Sequence, residues 1–171
     1  MERTILMAAK IDTSRIHIRP LKKVDLPVVA EIVDANEMFS SEMLDDMSSG
    51  FLAAPDPDAA ESLWLIATLD GMLAGFVFAA PEQLADGVWN MLALAVSPAH
   101  QGAGIGAAIT DALEARLRAR GDARMMIVDT SGAERFALTR EFYEKRGYEP
   151  EARIRDYWAE GDDKATFRKT L

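Results

Sequence analysis

The chain has 171 residues and a mass of 18.8 kDa, and it contains no cysteine and two histidines. This composition suits a single domain with a sizeable core, and it excludes a disulfide framework, a thiolate nucleophile and a cysteine-ligated metal centre. The net charge of −9 is unevenly spread, because residues 24–115 hold 15 acidic residues and no Lys or Arg, which argues against nucleic-acid binding. No apolar run approaches the roughly 20 residues that cross a bilayer, so we expect a cytoplasmic protein that binds neither membrane nor metal.

The first third of the chain predicts a leader, one strand and two helices. These are a flexible leader at residues 1–14, a strand at 16–21, helices at 26–37 and 39–50, and a proline-containing loop at 51–60. The strand alternates apolar and polar residues, whereas Val29 and Val33 recur at helical spacing after Asp25, which stands where an N-cap is expected. We expect one domain, at residues 15–171, after the leader.

The rest of the chain alternates predicted strands and helices. We predict strands at 63–69, 72–80, 88–96, 123–130, 148–158 and 164–171, and helices at 105–120 and 135–147. The dipeptide Asp70-Gly71 between the first two strands is typical of a tight hairpin, and Gly121 is typical of a helix C-cap. The order β-α-α-β-β-β-α-β-α-β-β is typical of a mixed α/β sheet covered by helices.

A glycine-rich loop joins the strand that ends at Val96 to the following helix. Its three glycines, Gly102, Gly104 and Gly106, lack Cβ atoms, so a ligand can approach the backbone closely. The free amide groups and the dipole at the start of the helix favour an anion at this point. A strand, a proline turn, a glycine loop and a helix in succession therefore predict a phosphate-binding site.

Two common phosphate-binding motifs fit this loop poorly. A P-loop places Lys and then Ser or Thr after the glycines, where this chain has Ala107 and Ala108. A dinucleotide fold requires the spacing G-x-G-x-x-G in a βαβ unit, whereas this loop reads G-x-G-x-G after several predicted strands. Neither motif accounts for the loop.

The loop resembles the signature of the GNAT superfamily of acyl-CoA-dependent N-acetyltransferases. That signature is Gln or Arg, two residues, Gly, one residue and then Gly or Ala, which falls here on Gln101, Gly104 and Gly106 after AVSPAH. The resemblance extends to FYEKRGY at 142–148 and to the order of elements, and it covers the chain from Ile16 onward. It implies an α/β GNAT fold, in which about four helices flank a mixed, mostly antiparallel central sheet of about six to seven strands.

The resemblance also implies acetyl-CoA as the co-substrate, held between the strand that ends at Val96 and the strand at 123–129, with no metal. Main-chain groups of Leu94, Ala95 and Val96 are expected to bind the pantetheine and to polarise the thioester carbonyl. The backbone amides expected to hold the pyrophosphate belong to Gln101, Gly102, Ala103, Gly104, Ile105, Gly106 and Ala107.

Tyr143 is the candidate catalytic residue. In many relatives a tyrosine at this position donates a proton to the departing CoA thiolate, and a phenol can donate at neutral pH. The alternative is an aromatic anchor that packs on the sheet with Phe142 and Tyr148. The same helix departs from many family members, because this chain has Phe136 and Thr139 where they carry Asn and Ala.

The sequence leaves the general base open. Asn90 lies on the strand where relatives often carry a glutamate, and it could hold a water but cannot accept a proton. Each remaining candidate has an ordinary structural explanation as a turn, loop or strand residue, and these are Glu82, Asp86, Asp129, His100 and His17.

The activity expected from the resemblance is transfer of an acetyl group from acetyl-CoA to a primary amine of a small molecule, by direct attack. Residues 31–61, expected on the acceptor side, hold nine carboxylates and no basic residue, which favours either a cationic acceptor or a solvated acidic surface. Arg116, Arg140 or Arg146 could bind the CoA phosphates.

Two alternative functions remain open. One is a catalytically silent acyl-CoA-binding or regulatory domain, and the other is a protein or peptide N-acetyltransferase. A homodimer is common in the family.

Overall fold

The computed structural model describes residues 12–171, so residues 1–11, most of the predicted leader, lie outside the described part. The described part contains seven strands and four α-helices in the predicted order. In chain order they are β1 (Ile16–Pro20), α1 (Leu26–Ala35), α2 (Leu44–Ala53), β2 (Leu63–Leu69), β3 (Met72–Pro81), β4 (Val88–Val96), α3 (Ile105–Arg120), β5 (Met125–Ser131), α4 (Ala137–Lys145), β6 (Glu149–Ala159) and β7 (Asp162–Thr170). Among residues 12–171, none of the helices is both long and apolar enough to cross a membrane.

The strands form one sheet in the order β1-β2-β3-β4-β5-β7-β6. Every neighbouring pair is antiparallel except β4 and β5, which are parallel. The predicted hairpin between β2 and β3 is present, since Asp70 and Gly71 have φ angles of 51° and 80°, as a tight two-residue turn requires. The mixed, mostly antiparallel α/β fold expected from the sequence is thereby confirmed.

Helices cover the two faces of the sheet in separate layers. Helix α3 packs on one face through Ile105, Ile109, Leu113 and Leu117, which are all fully buried and recur every four residues. Helices α1 and α2 pack on the other face around Val29 and the neighbouring apolar residues. Burial of one large aliphatic side chain contributes about 1.5–3 kcal/mol, so these stripes fix both layers against the sheet.

Helix α2 begins later and ends later than the sequence predicted. It starts at Leu44 rather than at Phe39, and it continues through three residues that were expected to be loop. Leu44, Ser48 and Phe51 form its buried face, and this spacing of four and three residues matches the helical period. The packing of Phe51 under the sheet therefore extends the helix beyond its predicted end.

Asp25 has a different role from the predicted N-cap of α1. Its carboxylate makes no capping bond to that helix; it accepts hydrogen bonds from Arg19 at 2.7 and 2.8 Å and from the Lys22 amide at 2.8 Å. Burial raises the pKa of the Asp25 carboxyl, but the hydrogen bonds from Arg19 and Lys22 outweigh it and lower the pKa overall. Asp25 thus connects β1 to the start of α1.

Candidate active site

The two central strands, β4 and β5, separate after three paired positions. The pairs are Val88 with Met125, Trp89 with Met126 and Asn90 with Ile127, and the later residues of these two fully described strands are unpaired with each other. The register between β3 and β4 shifts at the same point, where Leu92 has no partner between the paired residues Met91 and Ala93. Such a bulge bends a strand, and here it accompanies an opening between the ends of β4 and β5.

Two adjoining cavities occupy this opening, and together we call them the cleft. The inner cavity has a volume of about 220 Å³ and lies between β4, β5 and α4. The second has about 380 Å³ and extends to the glycine loop. Asn36, Leu94, Thr139 and Tyr143 line both cavities. The cleft thus lies where the resemblance places acetyl-CoA.

The main chain of β4 presents Leu94 and Val96, but not Ala95, to the cleft. The Ser97 amide donates to a carbonyl of β3 at 2.7 Å, and main-chain groups alternate sides along a strand, so those of Ala95 also face β3. The Ala95 carbonyl oxygen accordingly lies 2.9 Å from the position that a Cβ would take on Gly75. The main-chain groups of Ala95 therefore face β3, although Ala95 also lines the second cavity. The contacts expected from Leu94, Ala95 and Val96 to the pantetheine stay predictions, and the geometry favours Leu94 and Val96.

The Val96 carbonyl accepts hydrogen bonds from two side chains. Asn36 donates to it at 3.2 Å and Gln101 at 3.3 Å, and the Gln101 side-chain amide also donates to Asn36 Oδ1 at 3.3 Å. Asn36 follows the last residue of α1, where its amide also donates to the Ile32 carbonyl at 2.8 Å. Sequence reasoning missed Asn36 because an asparagine at the end of a helix normally indicates only a cap.

The glycine loop has the backbone conformation that its composition predicts. Gly102 and Gly104 have φ angles of 79° and 80°, a left-handed conformation that residues with a Cβ rarely adopt. The Ala108 amide donates to the Gly104 carbonyl at 3.0 Å as α3 begins, so the amides at 105–107 precede the first helical hydrogen bond. These amides and the helix dipole fit an anionic group such as a pyrophosphate.

Tyr143 lines both cavities of the cleft and is 6% exposed. Its ring centroid lies 5.4 Å from that of Phe142, 5.8 Å from that of Tyr148 and 5.9 Å from that of Phe167. Burial raises the pKa of the Tyr143 phenol, so the proton stays on its oxygen at neutral pH. The anchor and acid interpretations are compatible, because the packed ring also lines the cleft.

The candidates for a general base lie in different places. Asn90 is buried and donates to Glu82 at 2.7 Å, and neither residue lines the cleft. Asp129, which the sequence suggested to be a surface or turn carboxylate, does line the inner cavity. Its Oδ1 atom accepts a hydrogen bond from Thr166 at 2.5 Å, and its Oδ2 atom lies 3.5 Å from Lys164 Nζ. The other candidates lie outside the cleft lining, and these are Asp86, His17 and His100.

The three arginines considered for the CoA phosphates have partners within the protein. Arg116 forms an ion pair with Asp58, and Arg146 forms one with Asp111. Arg140 donates to two backbone carbonyls, each at 2.8 Å. Each arginine would lose these contacts on turning to a phosphate, so the loop amides are better placed than these side chains to bind the pyrophosphate.

The acidic stretch at 31–61 lies outside the cleft lining. All nine of its carboxylate residues are exposed, and none of them lines either cavity. Asp58 is paired with Arg116, and Asp34 accepts a hydrogen bond from Ser41 at 3.1 Å. The stretch therefore fits the interpretation as a solvated acidic surface better than that of an acceptor-binding surface.

The diverging strand pair, with a helix N-terminus at one end of its cleft, defines the class of acyltransferases that have the GNAT fold. The chain matches the family model for the acetyltransferase (GNAT) domain over residues 60–150, more than half of its length, and it belongs to that family. It is therefore an acetyl-CoA-dependent acyltransferase, with acetyl-CoA as its co-substrate. A comparison with curated protein sequences gave no match.

Solved structures share this fold. A GNAT-family structure from Desulfovibrio desulfuricans is 26% identical, with a TM-score of 0.80 over 91% of this chain and 98% of that chain. The ribosomal-protein-S18-alanine N-acetyltransferase of Escherichia coli is 19% identical, with a TM-score of 0.74 over 91% of this chain and 94% of that one. An aminoglycoside 6′-N-acetyltransferase complexed with coenzyme A is 18% identical, with a TM-score of 0.71 over 90% and 96%. The names of the last two give a protein and a small molecule as acceptors, so the shared fold leaves the acceptor open.

Proposed function

We propose that this acyltransferase transfers the acetyl group of acetyl-CoA to a primary amine of a small molecule, by direct attack of the neutral amine on the thioester. The observation that carries the proposal is the cleft, which joins the amides at the start of α3 to Tyr143 along the unpaired main chain of β4. Acetyl-CoA supplies the activated acetyl group. The chain has no cysteine, so no thiolate of the protein accepts the acetyl group on the way.

The residues proposed to bind the co-substrate follow one another along the cleft. Amides of the loop at 101–107 hold the pyrophosphate, and the main chain of Leu94 and Val96 binds the pantetheine amides as an added strand would. Phe142 lines the same part of the cleft beside Gly106. Its ring is suited to form an apolar wall along the pantetheine.

Tyr143 is proposed to hold a proton beside the leaving sulfur. Burial keeps the phenol protonated, and a thiolate formed in the same apolar surroundings has a raised pKa as well, because burial disfavours the charged form. Donation from the phenol to the sulfur then stabilises the departing group, and a general acid typically contributes about 10²–10⁴-fold in rate.

The size of the inner cavity favours a small acceptor. A volume of about 220 Å³ is bordered by Met38 beyond α1 and by Phe136 before α4. The end of a small amine enters such a cavity without a change in the backbone. A protein acceptor would have to insert a narrow, protruding end such as a chain terminus.

A thiol-release assay with a panel of amines tests this proposal. Because the chain has no cysteine, every thiol that appears comes from CoA. The panel contains polyamines, amino acids, aminoglycosides and peptides with free N-termini, and acetylated products are identified by mass spectrometry. We expect release with a small amine. Release with peptides alone would make the acceptor a peptide, and no release with any amine would overturn acetyl transfer to an amine.

Two further predictions from the sequence, a homodimer and a cytoplasmic location, are independent of this assay. Sedimentation of the purified protein and fractionation of cells check them separately. Both stay predictions.

A further inference from the structure

Strand β6 leaves its partner β7 for four residues. Pairing stops at Ile154 and resumes at Ala159, so residues 155–158, which we call the β6 bulge, lie opposite the single residue Asp163. The Asp163 carboxylate accepts a hydrogen bond from the Asp156 amide at 2.9 Å, and Asp156 has a φ of 53°. A left-handed residue other than glycine is uncommon and needs support from its surroundings. The β6 bulge is therefore a defined, hydrogen-bonded feature of the fold.

The β6 bulge presents two aromatic side chains beside the cleft. Tyr157 and Trp158 are 51% and 50% exposed, and their rings meet edge to face with centroids 4.7 Å apart. The Trp158 indole N–H donates to the Thr130 carbonyl at 3.3 Å, and Thr130 lines the inner cavity. This hydrogen bond holds an exposed aromatic pair at the rim of the cleft.

An ammonium group lies between this aromatic pair and the cleft. Lys164 Nζ is 4.3 Å from the centroid of the Tyr157 ring and 3.5 Å from Asp129 Oδ2. Among the described residues that line the cleft, Asp129 is the one charged side chain. An aromatic face and a carboxylate both attract an ammonium ion. The Lys164 side chain thus occupies a place suited to any alkylammonium group.

We propose that Asp129, Tyr157 and Trp158 form an ammonium subsite, which selects acceptors that carry a second cationic group besides the reacting amine. This inference rests on the proposed acetyl transfer and names the class of acceptor. The reacting amine enters the inner cavity uncharged, and the second ammonium stays at the rim, where it takes the place of Lys164 beside Asp129. When the acceptor has only one amine, the Lys164 ammonium remains beside Asp129.

Putrescine and n-butylamine provide a matched pair of acceptors, since they share a four-carbon chain and differ by one amine. We expect the KM for putrescine to be about tenfold lower than that for n-butylamine, which corresponds to about 1.4 kcal/mol. Asp129→Asn should bring the ratio of the KM for n-butylamine to the KM for putrescine close to one. Lys164→Met should increase the ratio, because it removes the competing ammonium. Asp45→Asn is the control, since it removes an exposed carboxylate of α2 outside the cleft lining and should keep the ratio.

Trp158 provides a readout that needs no turnover. Trp64 and Trp89 are buried in the core, so the half-exposed Trp158 is the tryptophan whose emission responds to a cation at the rim. Titration with putrescine in the absence of acetyl-CoA should change the emission in a saturable manner. Trp158→Phe should abolish the change, and Asp129→Asn should shift its midpoint about tenfold to higher putrescine.

The outcomes separate the subsite from the acetyl transfer on which it rests. Thiol release from both amines with equal KM values would overturn the ammonium subsite and leave the acetyl transfer standing. Saturable emission changes without any thiol release would support the subsite and contradict the acetyl transfer. A fall in kcat of Asp129→Asn with both amines, at an unchanged ratio of KM values, would make Asp129 a base and overturn the inference.

Discussion

The side-chain amide of Asn36 donates to the Val96 carbonyl at 3.2 Å, although the two residues are 60 positions apart in the chain. Gln101, at the start of the glycine loop, donates to the same carbonyl at 3.3 Å. Helix α1, the end of β4 and the loop that precedes α3 are therefore joined at one atom. The position of the proposed pantetheine-binding strand depends on a residue from the opposite helical layer.

Replacement of Asn36 by alanine removes these contacts. We expect Asn36→Ala to raise the KM for acetyl-CoA about three- to tenfold and to lower the free energy of unfolding by about 1 kcal/mol, because neutral hydrogen bonds are lost. A double-mutant cycle with Gln101→Ala measures the coupling, which should reach about 0.5–1.5 kcal/mol for two residues in contact. Strictly additive effects on the KM would show that the two amides act independently.

Gly106 tests whether the loop approaches the co-substrate. A Cβ at this position would lie 3.6 Å from the Phe142 ring, an ordinary contact, so alanine fits the protein itself. Alanine also favours a helix interior over glycine by about 1 kcal/mol. We expect Gly106→Ala to keep or raise Tm while raising the KM for acetyl-CoA about tenfold, since the methyl group enters the lining of the cleft.

Gly50→Ala is the matched control for this substitution. Gly50 lies within α2. Apart from its chain neighbours and the backbone of its own helix, no described atom would lie within 4 Å of an added Cβ. The control should raise stability without a change in KM. An unchanged KM in Gly106→Ala would remove the glycine loop from the proposed pyrophosphate site.

Tyr143→Phe separates the proton donor from the aromatic anchor. The substitution keeps the ring that packs against Phe142, Tyr148 and Phe167, so we expect little change in Tm or in the KM for acetyl-CoA. The kcat should fall about 10²-fold if the phenol serves as general acid. An unaltered kcat, where the chemical step limits turnover, would leave Tyr143 with packing alone.

The pH profile provides a second check on Tyr143. Burial raises its pKa above the usual value near 10, so the phenol remains protonated at every pH below that value. We expect the wild-type kcat to show no alkaline loss from this group up to about pH 10. A fall in kcat at lower pH that disappears in Tyr143→Phe would contradict the raised pKa.

The buried Glu114 of α3 forms an ion pair with the partly exposed Lys169 of β7. Lys169 Nζ lies 2.8 Å from Glu114 Oε2, and the Tyr148 hydroxyl donates to Glu114 Oε1 at 2.9 Å. We expect Glu114→Ala to cost about 1–3 kcal/mol in urea denaturation, because the buried Tyr148 hydroxyl loses its acceptor and the partly exposed Lys169 ammonium loses its counter-ion. Glu141→Ala, which breaks the exposed pair with Lys145, should cost within about 0.5 kcal/mol. Equal costs for the two substitutions would contradict the role of burial.

Asp25 makes stability depend on pH. Its pKa is lower in the folded protein than in the unfolded chain, so its contribution is present above the unfolded pKa near 3.9 and is lost as pH falls through the folded pKa. We expect Asp25→Asn to cost about 1.5–3 kcal/mol at pH 7, the usual value of hydrogen bonds to a charged group. The difference from wild type should shrink in unfolding curves below about pH 4. A difference independent of pH would point to packing instead.

The sequence by itself determined the order and type of the secondary-structure elements and the conformation of the glycine loop. Leu113 and Leu117 of α3 share one face through their spacing of four residues, and Asp70-Gly71 and Gly102 adopt the left-handed conformations that their residue types favour. These features depend on neighbours within about four positions, where backbone geometry and side-chain type act directly. The boundaries of α2 were wrong because they depend on the burial of Phe51 under the sheet rather than on local spacing.

Only the tertiary structure decided which residues meet at the cleft. Asn36, Asp129 and Tyr143 line one cavity although they come from three separate elements. The unpaired Leu92 accompanies the shift in register between β3 and β4, and Leu94, two residues further on, also lines that cavity. Such long-range contacts depend on strand register and on the packing of the layers. A shift of one residue in register moves every side chain of a strand to the opposite face of the sheet. The sequence therefore predicted a phosphate-binding loop and a tyrosine, whereas the tertiary structure placed the loop and the tyrosine along one cleft and brought Asp129 into its inner cavity.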